Sequence, residues 1–341
     1  FKFEARVWNM DRRDSVCGGC ARGCNIEVET LDGYVKRLMP RENQEVNDWW
    51  MCDHGRYGWR HLYSDKRIAK ARNSDHDIDD AEATSILSEL VTGSDSVAFL
   101  IDPFLTCEEL YLVHGIAASL PDSIVGGWLP PDGIAEKFPA GFTISAAKYP
   151  NRHGAEQIFG SNVFGKDAEK LQTALKEGNV STVIAFCGGP SEDGPGSDWS
   201  EALTKANTRI LFSVMEGPWL DGASLVLPAT APLEKEGTWI NEDKRLQRAR
   251  SCWNPSQQLF NSELVRLQEW QICSETRNRC LSAAGVFREL AENFDSFSGH
   301  SHSALGEGGL LISKRPATVG TKGEAKCPLP IVVYCLSSMR Y

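Results

Sequence analysis

The sequence predicts an α/β protein in which a small β-rich domain precedes a larger domain with a mostly parallel sheet. Cysteine and glycine are concentrated near the amino terminus, and from about residue 77 apolar strand-like runs alternate with helix-like segments. With 341 residues, the chain is long enough for about two domains. We expect them to span residues 1–63 and 64–297, followed by a loosely structured tail at 298–341 that is rich in Ser, Gly and Lys.

The amino-terminal region has the pattern of a β-hairpin. Residues Asn25–Thr30 alternate apolar and polar side chains, as a half-buried strand does. The pair Asp32-Gly33 is a typical hairpin turn, and Tyr34–Leu38 then reads as the returning strand.

The second domain shows buried strands and capped helices. Ser96–Ile101 is a continuous apolar run, which is typical of a parallel strand covered on both faces. Thr106–Glu109 has the pattern of a capping box, and Asp79 or Asp80 is a candidate helix N-cap. Further strands are predicted at Ser181–Cys187, Arg209–Val214 and Ala223–Leu227, and further helices at Asp79–Val91, Lys166–Glu177, Trp199–Ala206 and Ser282–Asn293.

Composition and charge exclude several classes of protein. No apolar run approaches the roughly 18 residues of a membrane helix. The net charge of −10 disfavours a general nucleic-acid-binding protein, which is usually basic. The charge is uneven: residues 1–72 hold 14 Lys and Arg against 11 Asp and Glu, a net +3, which leaves −13 for the remainder. The chain begins at Phe1 without an apolar leader, and we expect a processed product or a fragment of a longer protein.

Four of the eleven cysteines have the spacing of a metal or cluster site. They are Cys17, Cys20, Cys24 and Cys52. Three thiolates within eight residues can face one cavity only if the chain turns tightly, and glycines lie between them. Four thiolates with one distant member favour a [4Fe–4S] cluster. A structural zinc site also uses four cysteines, although it more often has two C-x2-C pairs, and it remains the alternative.

These residues resemble a known family. The segments Val16–Ile26, Pro40–Asn43 and Cys52–Tyr57 are similar to the iron–sulfur domain of the molybdopterin-oxidoreductase superfamily. Within that superfamily, the sequence most resembles the large iron–sulfur subunits of NADH:quinone oxidoreductase, respiratory complex I. The similarity extends to Pro150–Ala155, and Ala223–Asn241 looks like the family's strand and turn beside the pterin cleft.

The resemblance implies a fold, a cofactor and partners. The second domain is expected to be a compact, Rossmann-like, degenerate molybdopterin-oxidoreductase domain. The implied function is that of an iron–sulfur electron-transfer or structural subunit with one [4Fe–4S] cluster, no molybdopterin and no catalysis by this chain alone. The implied partners are other peripheral-arm subunits, including the flavin- and NADH-binding subunit and further iron–sulfur subunits. The implied location is the cytoplasmic face of the cell membrane, and contact with the membrane is expected only through the complex. No nucleic acid is expected as a partner.

Two other functions remain open at this point. One is a compact formate dehydrogenase-like catalytic subunit, for which Cys107 would be the candidate metal ligand; its position inside the capping box favours a structural role. The other is a structural module held together by zinc or a cluster.

Several further residues carry expectations of their own. We expect Gly188-Gly189-Pro190 to be a plain strand-end turn, Trp49-Trp50 to shield the cluster, and three histidines to face water: His54, His300 and His302. Four arginines near the cysteines are candidates to raise a cluster's reduction potential: Arg22, Arg37, Arg41 and Arg56.

Overall fold

A computed structural model describes residues 5–74, 76–139, 141–253 and 260–312. At the amino-terminal end, β1 (Asp11–Val16), β2 (Asn25–Leu31) and β3 (Tyr34–Pro40) form an antiparallel sheet in the order β1-β2-β3. The predicted hairpin is confirmed: Asp32 and Gly33 have φ of 54° and 78°, as a tight two-residue turn requires. The pairing of β1 with β2 was not predicted.

The remaining elements follow in chain order. After the sheet come α1 (Asp53–Tyr57), a 3-10 helix (Gly58–Tyr63), β4 (Ala71–Asn73), β5 (His76–Ile78), α2 (Asp80–Thr92), β6 (Val97–Ile101), α3 (Cys107–Ser119) and β7 (Ile124–Gly127). Next are β8 (Glu136–Lys137), β9 (Thr143–Ile144), α4 (Arg152–Phe159), α5 (Lys166–Lys176), β10 (Thr182–Cys187), α6 (Ser197–Leu203), β11 (Thr208–Ser213) and β12 (Leu225–Pro228). The described part closes with β13 (Gly237–Ile240), β14 (Arg245–Ala249), α7 (Glu263–Cys273), α8 (Ala283–Asn293) and β15 (Leu310–Leu311).

The central sheet confirms the α/β prediction. Its order is β5-β4-β12-β11-β10-β6-β7, with β7, β6, β10, β11 and β12 parallel and the β4–β5 hairpin antiparallel at one edge. Counted along the chain, the parallel strands have the doubly wound order 2-1-3-4-5. Side chains alternate between two cores: Phe99 and Ile101 pack on one face, and Ala98 and Leu100 on the other. This double burial explains why the strands read as continuous apolar runs.

Both predicted helix starts are confirmed. The side chain of Asp79 accepts the N–H of Glu82, which caps α2. Thr106 and Glu109 form the reciprocal capping box of α3. Helix α7 was not predicted, because its buried face includes Arg266 and Gln268, which hide the apolar period.

The carboxyl end of the sheet is filled by the chain itself. Doubly wound sheets bind ligands where the strand order reverses, which here lies between β6 and β10. The fully buried carboxylate of Asp102 accepts the N–H groups of Gly188 and, at 3.0 Å, of Phe104. A Cβ on Gly189 would lie 2.7 Å from the Phe104 ring. The N–H of Gly188, the first residue after β10, therefore donates to Asp102, and the Phe104 ring covers Gly189. This segment is a strand-end turn, as expected.

Asp102 is expected to make the stability of the protein pH-dependent. Burial raises its pKa from 3.8 to about 6, with the backbone N–H of Gly188 opposing the rise. Between these values the native carboxyl keeps a proton that the unfolded chain has released, so stability falls as the pH rises from about 4 to about 6. A shift of this size corresponds to roughly 3 kcal/mol. Urea unfolding across this range is expected to show a shallower fall for Asp102→Asn; equal slopes for both proteins would contradict the assignment.

The start of the predicted tail is packed rather than loose. His302 and Leu305 are buried, and β15 pairs with β14. The His302 ring lies 2.7 Å from Glu108 on α3, and Asn25 in β2 donates to the carbonyl of Glu307 at 2.6 Å. The expectation of a solvated histidine is therefore wrong for His302. We call residues 300–312 the closing strap; residues 313–341 lie outside the described residues, and the three domain limits stay a prediction.

Candidate iron–sulfur site

The structure brings together the four cysteines that the spacing singled out. Cys17, Cys20 and Cys24 lie on the loop from β1 to β2, which we call the cysteine loop, and all three are buried. Cys52 is the N-cap of α1, and its thiol accepts the N–H of Gly55 at 3.3 Å. Cys52 is only partly buried, so it is the most exposed of the four.

Burial and the charges of neighbouring cysteines raise the pKa of the buried thiols. Burial and the neighbouring charge of Cys20 raise the pKa of Cys17 to about 12. Burial also raises the pKa of Cys24 well above its usual value, and the other three cysteines add to the rise. Four ionised thiols in this buried position would repel one another. The iron of a cluster would offset their charge, because metal ligation displaces the thiol protons.

The backbone of α1 packs closely against two of the thiols. A Cβ on Gly55 would lie 2.9 Å from Cys17 Sγ and 3.7 Å from Cys52 Sγ, so only glycine leaves the thiols room there. Within the described ranges, no three His, Cys, Asp or Glu side chains converge on one point as the ligands of a single metal ion do. A four-iron cluster does not need such convergence, because each of its irons takes one thiolate. The ligand assignment itself stays a prediction.

Gly55, within α1, and Gly58, at its carboxyl end, provide a matched test of this close packing. We expect Gly55→Ala to displace Cys17 Sγ and to lower the iron and sulfide bound per chain at least twofold. Gly58→Ala is the control, because a Cβ there would meet nothing within 4 Å. Both changes add the same methyl group, so any general effect on the helix is shared. The iron bound per chain is measured after anaerobic purification. Equal iron content in the two variants would contradict the claim that only glycine at position 55 leaves room for the thiols.

The second domain holds the cysteine loop in place. The N–H of Ala21 donates to the carbonyl of Ala147 at 2.8 Å, and its own carbonyl accepts the N–H of Glu242 at 2.8 Å. The Gln247 amide donates to the carbonyl of Gly23 at 2.9 Å. Gly23 has a φ of 67°, and a Cβ there would lie 2.5 Å from Gln247 Oε1. The β13–β14 hairpin therefore fixes the conformation of the loop.

The residues that cover the cysteine loop are not the two tryptophans expected to do so. A Cβ on Gly18 would lie 2.5 Å from Pro232 and 3.2 Å from the Trp239 ring, so these two residues cover the loop directly. Trp49 and Trp50 are 66% and 48% exposed, and the prediction that they shield the cluster is wrong. A tryptophan pair in sequence does not reveal which face it presents, whereas the packing of Gly18 depends on a segment more than 200 residues away.

The predicted arginines act mainly on other groups. Arg22 pairs with Asp243 at 3.0 Å and also lowers the pKa of Cys24; Arg41 pairs with Glu307 at 3.1 Å. Arg37 pairs with Glu29, and Arg56 lies 3.8 Å from Asp53. Sequence analysis missed Lys148 and the backbone N–H of Ser145, which both lower the pKa of Cys20 against the effect of burial. No local motif marks them, since they reach the site from the second domain.

The remaining candidates fall outside the site. His54 is exposed, as expected. Cys107 is fully buried at the first position of α3, where its Sγ lies 3.7 Å from Asn151, and burial raises its pKa strongly.

A buried ionic cluster lies in the same segment that covers the cysteine loop. Lys235 Nζ is 2.9 Å from a carboxylate oxygen of both Glu109 and Glu263, and the three side chains are at most 3% exposed. Burial raises the pKa of Glu109 to about 7. Burial also opposes ionisation of Glu263, but the Lys235 ammonium outweighs it and lowers the pKa of that carboxyl. The cluster ties α3 and α7 to the segment before β13.

Comparison with known families places the amino-terminal region. Residues 10–64 match the molybdopterin oxidoreductase Fe4S4 domain. This Fe4S4 domain contains β1–β3, α1 and all four cysteines. The match supports a [4Fe–4S] cluster in this region.

Curated relatives share part of the chain with this protein. The NADPH-Fe(3+) oxidoreductase subunit alpha of Geobacter sulfurreducens is 32% identical over 125 residues, 35% of this chain and 15% of the relative. NADH-quinone oxidoreductase subunit 3 of Thermus thermophilus is 39% identical over 69 residues, 20% of this chain and 9% of the relative. A putative formate dehydrogenase of Staphylococcus aureus is 28% identical over 124 residues, 33% and 13% of the two chains. The chain thus aligns with only a small share of each relative's length.

A solved structure was also compared. Acetylene hydratase from Pelobacter acetylenicus superimposes with a TM-score of 0.49 at 8% identity, over 89% of this chain and 74% of that one.

In the part of the chain that the structure describes, no helix has the length and apolarity to cross a membrane.

Proposed function

We propose that this chain is an iron–sulfur electron-transfer subunit of an NADH:quinone oxidoreductase-type complex, with one [4Fe–4S] cluster held by Cys17, Cys20, Cys24 and Cys52. The observation that carries the proposal is the placement of three buried cysteines of the cysteine loop together with Cys52, within the residues that match the Fe4S4 domain. A Cβ on Gly55 would lie 2.9 Å from Cys17 Sγ and 3.7 Å from Cys52 Sγ. The similarity to NADH-quinone oxidoreductase subunit 3 supports this particular type of complex.

The second domain is proposed to act as a scaffold without a pterin. Two features support this reading: Cys107 is a fully buried helix residue, and Asp102 and Phe104 fill the end of the sheet. In this proposal the domain positions the cysteine loop and offers surface to neighbouring subunits. These would include a flavin- and NADH-binding subunit and other iron–sulfur subunits, in a complex attached to the cytoplasmic face of the membrane.

The bound cluster would supply one-electron redox chemistry, and the residues around it would control its surroundings. Four thiolates would hold it. The N–H of Gly55 donates to Cys52 Sγ, which favours the thiolate and would raise a cluster's reduction potential. The Ser145 N–H and the Lys148 ammonium act in the same direction at Cys20. Pro232 and Trp239 exclude water on the side of the second domain.

Metal and sulfide analysis with electron paramagnetic resonance tests the proposal. After anaerobic purification, we expect about four iron and four sulfide per chain, no molybdenum or tungsten, and a signal upon dithionite reduction. Zinc without sulfide would contradict the cluster.

A second candidate is a compact formate dehydrogenase-like molybdopterin oxidoreductase. The observation in its favour is the similarity to putative formate dehydrogenases over 124 residues. Stoichiometric molybdenum or tungsten in the same analysis would establish it and would overturn the pterin-free scaffold.

A further inference from the structure

A basic and aromatic groove lies on the Fe4S4 domain. It has a volume of about 600 Å³ and runs between β3 and the segment formed by α1 and the following 3-10 helix. Its cationic side chains are Lys36, Arg37, Arg56 and Arg60. Its aromatic side chains are Tyr34, Tyr57, Trp59 and Tyr63. Among the residues that the structure describes, no acidic side chain lines it.

Side-chain hydrogen bonds hold the two sides of the groove in place. β3 is the edge strand of its sheet, and side chains cover that edge: the Tyr63 hydroxyl accepts the N–H of Val35 at 2.6 Å, and Arg56 donates to the carbonyl of Leu38 at 3.4 Å. The Trp59 indole donates to the carbonyl of Arg56 at 3.0 Å. The edge is therefore closed to an added strand, and what remains open is a surface of side chains.

Two of the cations are available to a partner. Glu29 pairs with Arg37, and Asp53 lies near Arg56, so these two positive charges are partly compensated. Lys36 and Arg60 lie over the rings of Tyr34 and Tyr57 at 5.6 and 5.4 Å and make no ion pair within the described ranges. Tyr34 and Tyr57 are 55% and 51% exposed. Exposed tyrosines beside arginine are the composition of interaction hot spots.

The groove also lies next to Cys52, the least buried of the four cysteines of the candidate site. Cys52 Sγ accepts the N–H of Gly55, and the N–H of the next residue, Arg56, donates to the carbonyl of Cys52 at 2.9 Å. Arg56 lines the groove. The other three cysteines are buried, and Gly18 and Gly23 on their loop pack against the second domain. The short route between a cluster and the surface therefore runs through Cys52 and α1 to this groove.

We infer that the groove is the docking site of an acidic, one-electron redox protein that exchanges electrons with the cluster past Cys52. The inference rests on the proposed function and specifies its partner surface. The step is the transfer of one electron: the reduced partner is oxidised by one electron, the oxidised cluster is reduced by one, and no bond or proton is exchanged. Charge complementarity selects the partner, because the described residues that line the groove include four cations and no carboxylate.

The probe is a plant-type [2Fe–2S] ferredoxin, an acidic one-electron carrier, used with the full chain holding its cluster. The favourable direction of transfer is first set by redox titration of both proteins. We compare Lys36→Glu/Arg60→Glu with a control of the same charge change, Lys170→Glu/Lys176→Glu, at exposed positions on α5. At low salt, the groove variant is expected to bind the ferredoxin at least tenfold more weakly and to transfer electrons at least tenfold more slowly. This difference is expected to disappear at high salt.

The aromatic part of the groove has its own test. Tyr57→Ala is expected to weaken binding at least threefold with little change in the salt dependence, because it removes contact area and no charge. Iron content and the reduced-cluster signal are measured for the unchanged chain and for every variant. Absence of a cluster from the unchanged chain, which would overturn the proposed function, is thus distinguished from loss of docking. Equal effects of the groove and control variants on a cluster-containing protein would overturn the docking site. Self-association of the unchanged chain that the groove variant abolishes would instead assign the groove to a second copy.

Discussion

Replacing Cys20 by Ser is expected to abolish the cluster. Cys20 is buried, and the backbone N–H groups of Arg22 and Ser145 hold its sulfur in place. A serine oxygen is harder and far less acidic than a thiol, so one iron would lose its preferred ligand. We expect bound iron to fall from about four per chain to less than half, with loss of the reduced-state signal. Iron and sulfide analysis together with electron paramagnetic resonance measures both.

The matched control is Cys273→Ser, at the exposed carboxyl end of α7. It makes the same sulfur-to-oxygen change away from the cysteine loop and is expected to leave iron, sulfide and the signal unchanged. Full occupancy in Cys20→Ser would remove this residue from the ligand set. Circular dichroism of both variants separates loss of the cluster from loss of the fold.

Replacing Lys235 by Met is expected to cause the largest loss of stability. The substitution leaves the carboxylates of Glu109 and Glu263 buried without their shared cation. Removing one partner of a buried ion pair costs about 3–5 kcal/mol, because the remaining charge is dry and unpaired. The loss is expected to be smaller at acidic pH, where Glu109, whose pKa is already raised to about 7, is protonated. Urea unfolding at two pH values measures the free energy of unfolding.

Two further variants define this result. Lys176→Met, on the exposed end of α5, removes a positive charge at the surface and is expected to cost less than about 0.5 kcal/mol. Lys235→Met combined with Glu109→Gln and Glu263→Gln is expected to recover part of the loss, because neither carboxylate of the cluster is then left without its cation. If Lys235→Met and Lys176→Met unfolded with the same free energy, the buried cluster would have no role in stability.

Local sequence patterns predicted those parts of the fold that depend on residues close together in the chain. The hairpin turn at Asp32-Gly33, the capping box at Thr106 and the continuous apolar strands all follow from such patterns and are confirmed. The cysteine spacing predicted a shared site for four thiols, and that ligand assignment stays a prediction. What the sequence did not reveal depends on distant contacts: the cover of Gly18 by Pro232, the approach of Lys148 to Cys20, and the exposure of Trp49 and Trp50. The ionic cluster around Lys235 was missed for the same reason, since its members come from three separate elements.

The closing strap has a consequence for how the molecule folds. Asn25 bonds across 282 residues to Glu307, and Gln247 reaches back 224 residues to Gly23. Contacts of such long sequence separation form late, because the entropy of closing large loops is spent before they are made. During synthesis, β1–β3 leave the ribosome long before their cover exists. The cysteine loop therefore stays open to the surrounding solution until Pro232, Trp239 and Gln247 have been translated, and the strap closes over Asn25 last. Until then, the later part of the chain cannot hinder delivery of a cluster to the loop.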